Sequence, residues 1–210
     1  LLLILFLVLK NGKIRGARHV TQRAYRDYKD AELKKVADDI GNLVPRLYEA
    51  STVDEVRGIE GAAASQYFKV FSKMLRNPDV TFSGRTRRPP RDPVNAVLSF
   101  VYSMLTRDCI SAIECVGLDP QVGFLHELRP GRPALALDLM EEFRHSFADR
   151  IALSLFNRSQ LKESDFNERP GGAVLLDDEG RKTVVVAYQE RKQDEVTHPL
   201  FEQPVPIGLL

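Results

Sequence analysis

Residues 52–76, TVDEVRGIEGAAASQYFKVFSKMLR, constrain the fold more than any other stretch. Thr52, with Glu55 three residues on, forms a capping box, in which each side chain takes a backbone N–H that a helix start leaves unpaired. Behind it Val56, Ile59, Ala63, Tyr67, Val70 and Met74 recur every three or four residues through Arg76, so one face of this helix must be buried against other elements. A chain built around such a segment folds by packing helices.

The same spacing recurs elsewhere. Leu33, Val36, Ile40, Leu43 and Leu47 predict a helix over 31–47, with Asp30 as its cap. Asp92 and Pro93 open a helix along Val94, Val97, Leu98, Val101 and Leu105, and a second short helix is expected over 106–116, stopping at Gly117. A longer one over about 134–155 would bury Leu135, Leu139, Met140, Phe143, Phe147 and Ile151. Between these lie a Pro/Gly/Arg loop at 76–93 and another before Ala134. The only strand signal is GAVLLDDEGRKTVVVAY, residues 172–188, two β-rich runs that read as one hairpin joined at Asp177–Gly180. The expectation is a mainly α domain with one β-hairpin over residues 31–210, preceded by a remnant or linker helix in residues 1–30.

Of 210 residues, 43% are hydrophobic and 28% charged, enough for an ordinary packed core. Thirty Lys and Arg face 29 Asp and Glu, so affinity for a polyanion has to come from how charge is distributed. Cys109 and Cys115 have neither metal nor disulfide-framework spacing and are expected as buried thiols in a reducing compartment. The opening run LLLILFLVL is shorter than the roughly 20 residues a membrane helix needs, and its positive charge follows rather than precedes it, unlike a signal peptide. It reads as a buried helix or strand of a longer chain, and PVPIGLL at the other end reads as a second fragment boundary.

Three features bear on chemistry. Asp138, Glu141 and Glu142 share one helix, with His145 further along the same stripe, so that helix could offer an Asp/Glu/His ligand set by itself. Glu60 lies beside the small residues GAAAS, which would let another segment approach and leave its carboxylate in a packed interface, where it needs a cation. His126 sits on the loop GFLHELRPGRP; combined with Glu60 and an acid of the later helix it would make an oxygen-rich set with one imidazole, suited to Mg²⁺ or Mn²⁺. The solvated alternative holds for every one of these groups. Arg85, Arg87, Arg88 and Arg91, together with Arg129 and Arg132, supply guanidinium forks that match phosphates, the reading a hard-metal site favours over plain solvated loops.

RGIEGAAASQYF, FSGRTRRPPRDPVNAVLSFVYSML, DCISAIECVGLDPQVGFLHELRPGRPALALDLMEEFR and GGAVLLDDEGRKTVVVAYQERKQDEVTHPLF together resemble successive blocks of the CRISPR-associated adaptation endonucleases, the Cas-one family, in a form similar to type I-C systems. The resemblance runs over residues 57–201 in the family's order. It implies a helical catalytic domain, with the family's N-terminal β-domain missing apart from its last link. It also implies a divalent metal, Mg²⁺ or Mn²⁺, held by Glu60, His126 and Glu141, with Asp138 in support. That assignment ranks the single-helix set with His145 lower and leaves Glu142 as a surface charge. The implied function is cleavage and joining of double-stranded and branched DNA during spacer acquisition in a prokaryotic cytoplasm. The implied partners are a second copy, the small Cas-two protein and, in type I-C systems, Cas-four. GKIRGAR departs from the family in lacking the asparagine that commonly follows Lys-Ile.

Overall fold

The computed structural model describes the backbone of residues 2–126, 129–197 and 202–209, and the side chains of residues 11–126, 129–197 and 202–208. It is mainly helical. In chain order come α1 (Leu2–Tyr28), α2 (Ala31–Gly41), α3 (Leu43–Glu49), α4 (Val53–Lys69), α5 (Pro93–Cys115), α6 (Ala134–Phe143), α7 (Arg150–Asn157), strands β1 (Phe166–Arg169) and β2 (Ala173–Leu176), α8 (Asp178–Lys192), and strands β3 (Glu195–Thr197) and β4 (Pro204–Pro206). One core holds Ile14, Ala17, Val20 and Ala24 of α1 with Leu33 and Ile40 of α2, Val56, Ala63 and Tyr67 of α4, and the inner face of α5. The opening apolar run lies in α1, and its side chains fall outside the described residues. Among the described helices α5 is long and apolar enough to cross a membrane, and its Val94, Val97, Leu98 and Val101 lie inside the protein.

The capping box at the start of α4 is present in both directions: Glu55 N donates to Thr52 Oγ1 at 3.2 Å, and the Glu55 carboxylate accepts Thr52 N. The helix ends at Lys69 rather than Arg76, and a 3₁₀ turn at Phe71–Met74 follows. With three residues per turn, that form lines up Phe71 and Met74, which are both buried. The helix expected over 31–47 is two, because Pro45 has no N–H to donate to the Gly41 carbonyl and its ring crowds that oxygen. The short helix expected at 106–116 is the continuation of α5, since Thr106 Oγ1 bonds back to the Tyr102 carbonyl at 2.7 Å and Cys109 and Ile113 carry the buried stripe onward. The 134–155 helix is interrupted by a π-helical turn at Arg144–Asp149 and extends to Asn157.

The hairpin falls elsewhere. β1 and β2 pair antiparallel, Arg169 opposite Ala173, with Gly171 and Gly172 taking positive φ in the turn. The TVVVAY run belongs to α8. Asp177 caps that helix by accepting Gly180 N at 2.7 Å, Asp178 and Glu179 stand in its first turn, and Arg191 and Lys192 stand in its last. Those end signals and burial of Val184 and Tyr188, four apart, override the strand preference of the valines, of which Val185 and Val186 face solvent. A second short pair, β3 with β4, was not expected. Cys109 is buried as expected, whereas Cys115 is exposed on the outer face at the end of α5.

Candidate active site

The loop before α6 is tied to that helix by Leu135 N, which donates to the Pro120 carbonyl at 2.9 Å, and by one carboxylate. Asp138, fully buried, accepts the backbone N–H groups of Phe124 (2.6 Å), Leu125 (2.9 Å) and His126 (3.1 Å), and its Oδ1 lies 2.6 Å from His126 Nδ1. The loop crosses the start of α6 so closely that a Cβ on Gly123 would lie 2.5 Å from the Ala134 carbonyl carbon, which requires glycine there. Because the Asp138 carboxylate can only accept, Nδ1 carries the proton of this contact, which fixes the ring and leaves Nε2 as the nitrogen a metal would take.

Glu141, one turn further along α6, is also buried. Its Oε2 lies 2.5 Å from Lys13 Nζ and its Oε1 lies 3.1 Å from Arg144 Nη2. The same Lys13 ammonium pairs with Glu60 of α4, so α1 places one cation between carboxylates from two other helices. Burial works against the charge of the Arg144 guanidinium, but Glu141, Tyr102, Asp149 and Glu60 outweigh it and hold the group more firmly protonated than usual. Arg144 also stacks 4.9 Å above the Tyr102 ring, and the Tyr102 hydroxyl donates to Asp149. Asp149 in turn lies 2.7 Å from His145 Nδ1. The π turn thus ends in a buried polar cluster directly behind Glu141.

Several expectations change. Asp138, Glu141 and His145 do not form one ligand set: Asp138 is engaged by the loop, and His145 turns to Asp149 and packs its ring 4.5 Å from that of Tyr67. α6 buries Ala134, Ala136, Asp138, Met140 and Glu141 fully, because both acids gain partners inside, while Leu135, Leu139 and Phe143 pack against the core only in part. Glu142 is half-buried against Gly12 rather than a surface charge, and burial raises its carboxyl above the usual range. α1 packs against α4 where Ala63 is buried and brings Lys13 to Glu60, as the small residues there led one to expect, whereas a Cβ on Gly58 or Gly61 would meet no described atom within 4 Å.

Arg85 is a structural anchor of its loop. It donates to Asn95 Oδ1 at 2.8 Å and to Ser99 Oγ at 3.2 Å, and burial lowers its pKa. Arg91 bonds the Gly171 carbonyl. Arg87, Arg88 and Arg129 are exposed, and Arg132 is half-buried. An open groove of about 590 Å³ runs beside α4, lined by Gly61, Ala64, Phe68, Phe82, Arg85 and Arg87.

Among the described residues no three of His, Cys, Asp and Glu close around one point as metal ligands do. The donors nevertheless fit a hard divalent ion. The buried Glu141 carboxylate and the half-buried Glu60 carboxylate already converge on one cation, the Lys13 ammonium, and the second ring nitrogen of His126 would complete the set. Lys13 and the Tyr102–Asp149–His145 cluster escaped the sequence reading. A signal for Lys13 existed: it stands in register with Ala17, Val20 and Ala24 on the core face of α1, where a lysine needs a partner.

Residues 7–190 match the family model described as CRISPR associated protein Cas1. A CRISPR-associated endonuclease Cas1 from Rhodospirillum rubrum is 54% identical over 209 residues, covering 95% of this chain and 61% of that protein. Among solved structures, a casposase bound to integration product superposes with a TM-score of 0.88 at 25% identity, covering 99% of this chain and 60% of that one. A partial Cas6-RT-Cas1–Cas2 complex gives 0.78 at 28% identity, covering 90% of this chain and 58% of that one. The chain spans about 60% of the length of the curated relatives it matches. The family match over most of the chain, with this degree of identity, places it as a member of the Cas1 family.

Proposed function

We propose that this chain carries the catalytic centre of a metal-dependent DNA endonuclease and integrase acting in CRISPR spacer acquisition. The observation that supports it most is the convergence of Glu60 and Glu141 on one cation, with Asp138 of the same helix as Glu141 orienting His126. Glu60, His126 and Glu141 would hold Mg²⁺ or Mn²⁺, which when bound polarises a scissile phosphodiester and lowers the pKa of an attacking hydroxyl or water. Asp138 fixes the ring orientation of His126, and Arg144 holds one oxygen of Glu141, so both donors are positioned before substrate arrives. The groove beside Glu60 offers the Phe68 and Phe82 rings for base stacking and Lys69 and Arg87 for phosphates, with Arg88, Arg91, Arg129 and Arg132 as further backbone contacts. Arg85, already engaged inside its loop, would act by shaping the groove.

The assembly belongs to the same proposal: a homodimer, a Cas2 partner as in the solved Cas1–Cas2 relatives, a Cas4 partner of type I-C systems, and a prokaryotic cytoplasm. Replacing His126 by alanine is expected to abolish Mn²⁺-dependent cleavage of branched DNA, measured by product release on gels, without unfolding the protein, because this side chain is partly exposed. Unchanged cleavage would overturn the assignment. A second reading, which the exposed Arg87, Arg88 and Arg129 favour, is DNA binding without turnover. Retained DNA binding with no Mn²⁺-dependent product from the unaltered chain would favour it.

A further inference from the structure

Lys13 belongs to no expected ligand set, yet it occupies the centre of the candidate site. Its side chain is 7% exposed, and its ammonium touches Glu60 and lies 2.5 Å from Glu141 Oε2. Counting Arg144 on the other Glu141 oxygen, these two carboxylates and two monovalent cations balance one another among the described residues. A buried ammonium is retained only where such pairing offsets its lost hydration.

A hard divalent ion needs the same oxygens at about 2.0–2.1 Å, a position an ammonium between them blocks. Were Lys13 to remain, the ion would enter beside a like charge in poorly hydrated surroundings, where repulsion is strong. Were Lys13 to leave, the dication would take its place between the two carboxylates and add one positive charge, which one phosphodiester would offset. We propose that Lys13 is the resident counter-cation of the Glu60–Glu141 pair, and that a divalent ion enters by exchange with its ammonium. This rests on the metal reading above and adds to it that binding is a cation exchange built into α1.

Mn²⁺ binding to the purified protein, followed by loss of the free-ion electron paramagnetic resonance signal, tests it together with melting curves for Lys13→Met and Lys13→Gln. Both variants are expected to melt below the unaltered protein without metal, to recover with Mn²⁺, and to bind the ion on the order of tenfold more tightly. In the unaltered protein, acetylation of Lys13 by an amine-reactive ester, read by mass spectrometry, is expected to accelerate when Mn²⁺ is added. Equal or weaker Mn²⁺ binding by the variants overturns the exchange. So does Mn²⁺ binding that leaves Lys13 acetylation unchanged, a readout that stands even if neither variant folds. Absence of Mn²⁺ binding from unaltered protein and variants alike overturns the metal reading itself.

Discussion

Replacing Asp138 by alanine removes the acceptor of three backbone N–H groups and of the His126 ring at a position without solvent access. Donors left unsatisfied inside a protein cost more than the bonds themselves contribute, so a loss of about 3 kcal/mol or more is expected in urea denaturation. Asp138→Asn keeps one carbonyl acceptor and should lose less. Both variants should also speed proteolysis around Phe124–His126, because this side chain holds the backbone of those residues against α6. As an acid near Glu141 the residue was legible in the sequence. Its work was not, since hydrogen bonds from a loop some thirteen residues earlier depend on how that loop crosses the helix.

At the scale of elements, Asp30 caps α2 and also receives Lys73 from the turn after α4, at 2.9 Å. That bond, followed by the backbone N–H of Leu33, holds the Asp30 carboxyl below the usual range. A carboxyl lowered in the folded state contributes stability above its unfolded pKa, near 4, and loses it as pH falls through its folded pKa. Lys73→Met should therefore lower the urea midpoint at pH 7, and its gap from the unaltered protein should close on acidification below about pH 4. Helix starts were the most legible elements: Thr52, Asp92 and Asp30 each cap where their side chains predicted. Strand signals failed at 178–188, where β-branched residues sit in a helix whose caps and buried Val184 and Tyr188 decide the outcome.

For the molecule as a whole, α1 packs against α2, α4 and α6, and it delivers both core side chains and Lys13. A chain begun at Ala31 is expected to lose the cooperative urea transition and bind a hydrophobic dye, because the faces of α2 and α4 that meet α1 would be bare. A sharp transition in that shortened chain would make α1 dispensable. The sequence by itself determined the helical class, the capped helix starts and the resemblance to one family, because periodicity, caps and motif blocks are local and survive any arrangement of the helices. Only the tertiary structure decided that Lys13 lies between Glu60 and Glu141, that Asp138 serves the loop and His145 serves Asp149. Those partners come from helices or a π turn whose relative placement is set by the shared core, and no spacing along the chain encodes which buried charge meets which.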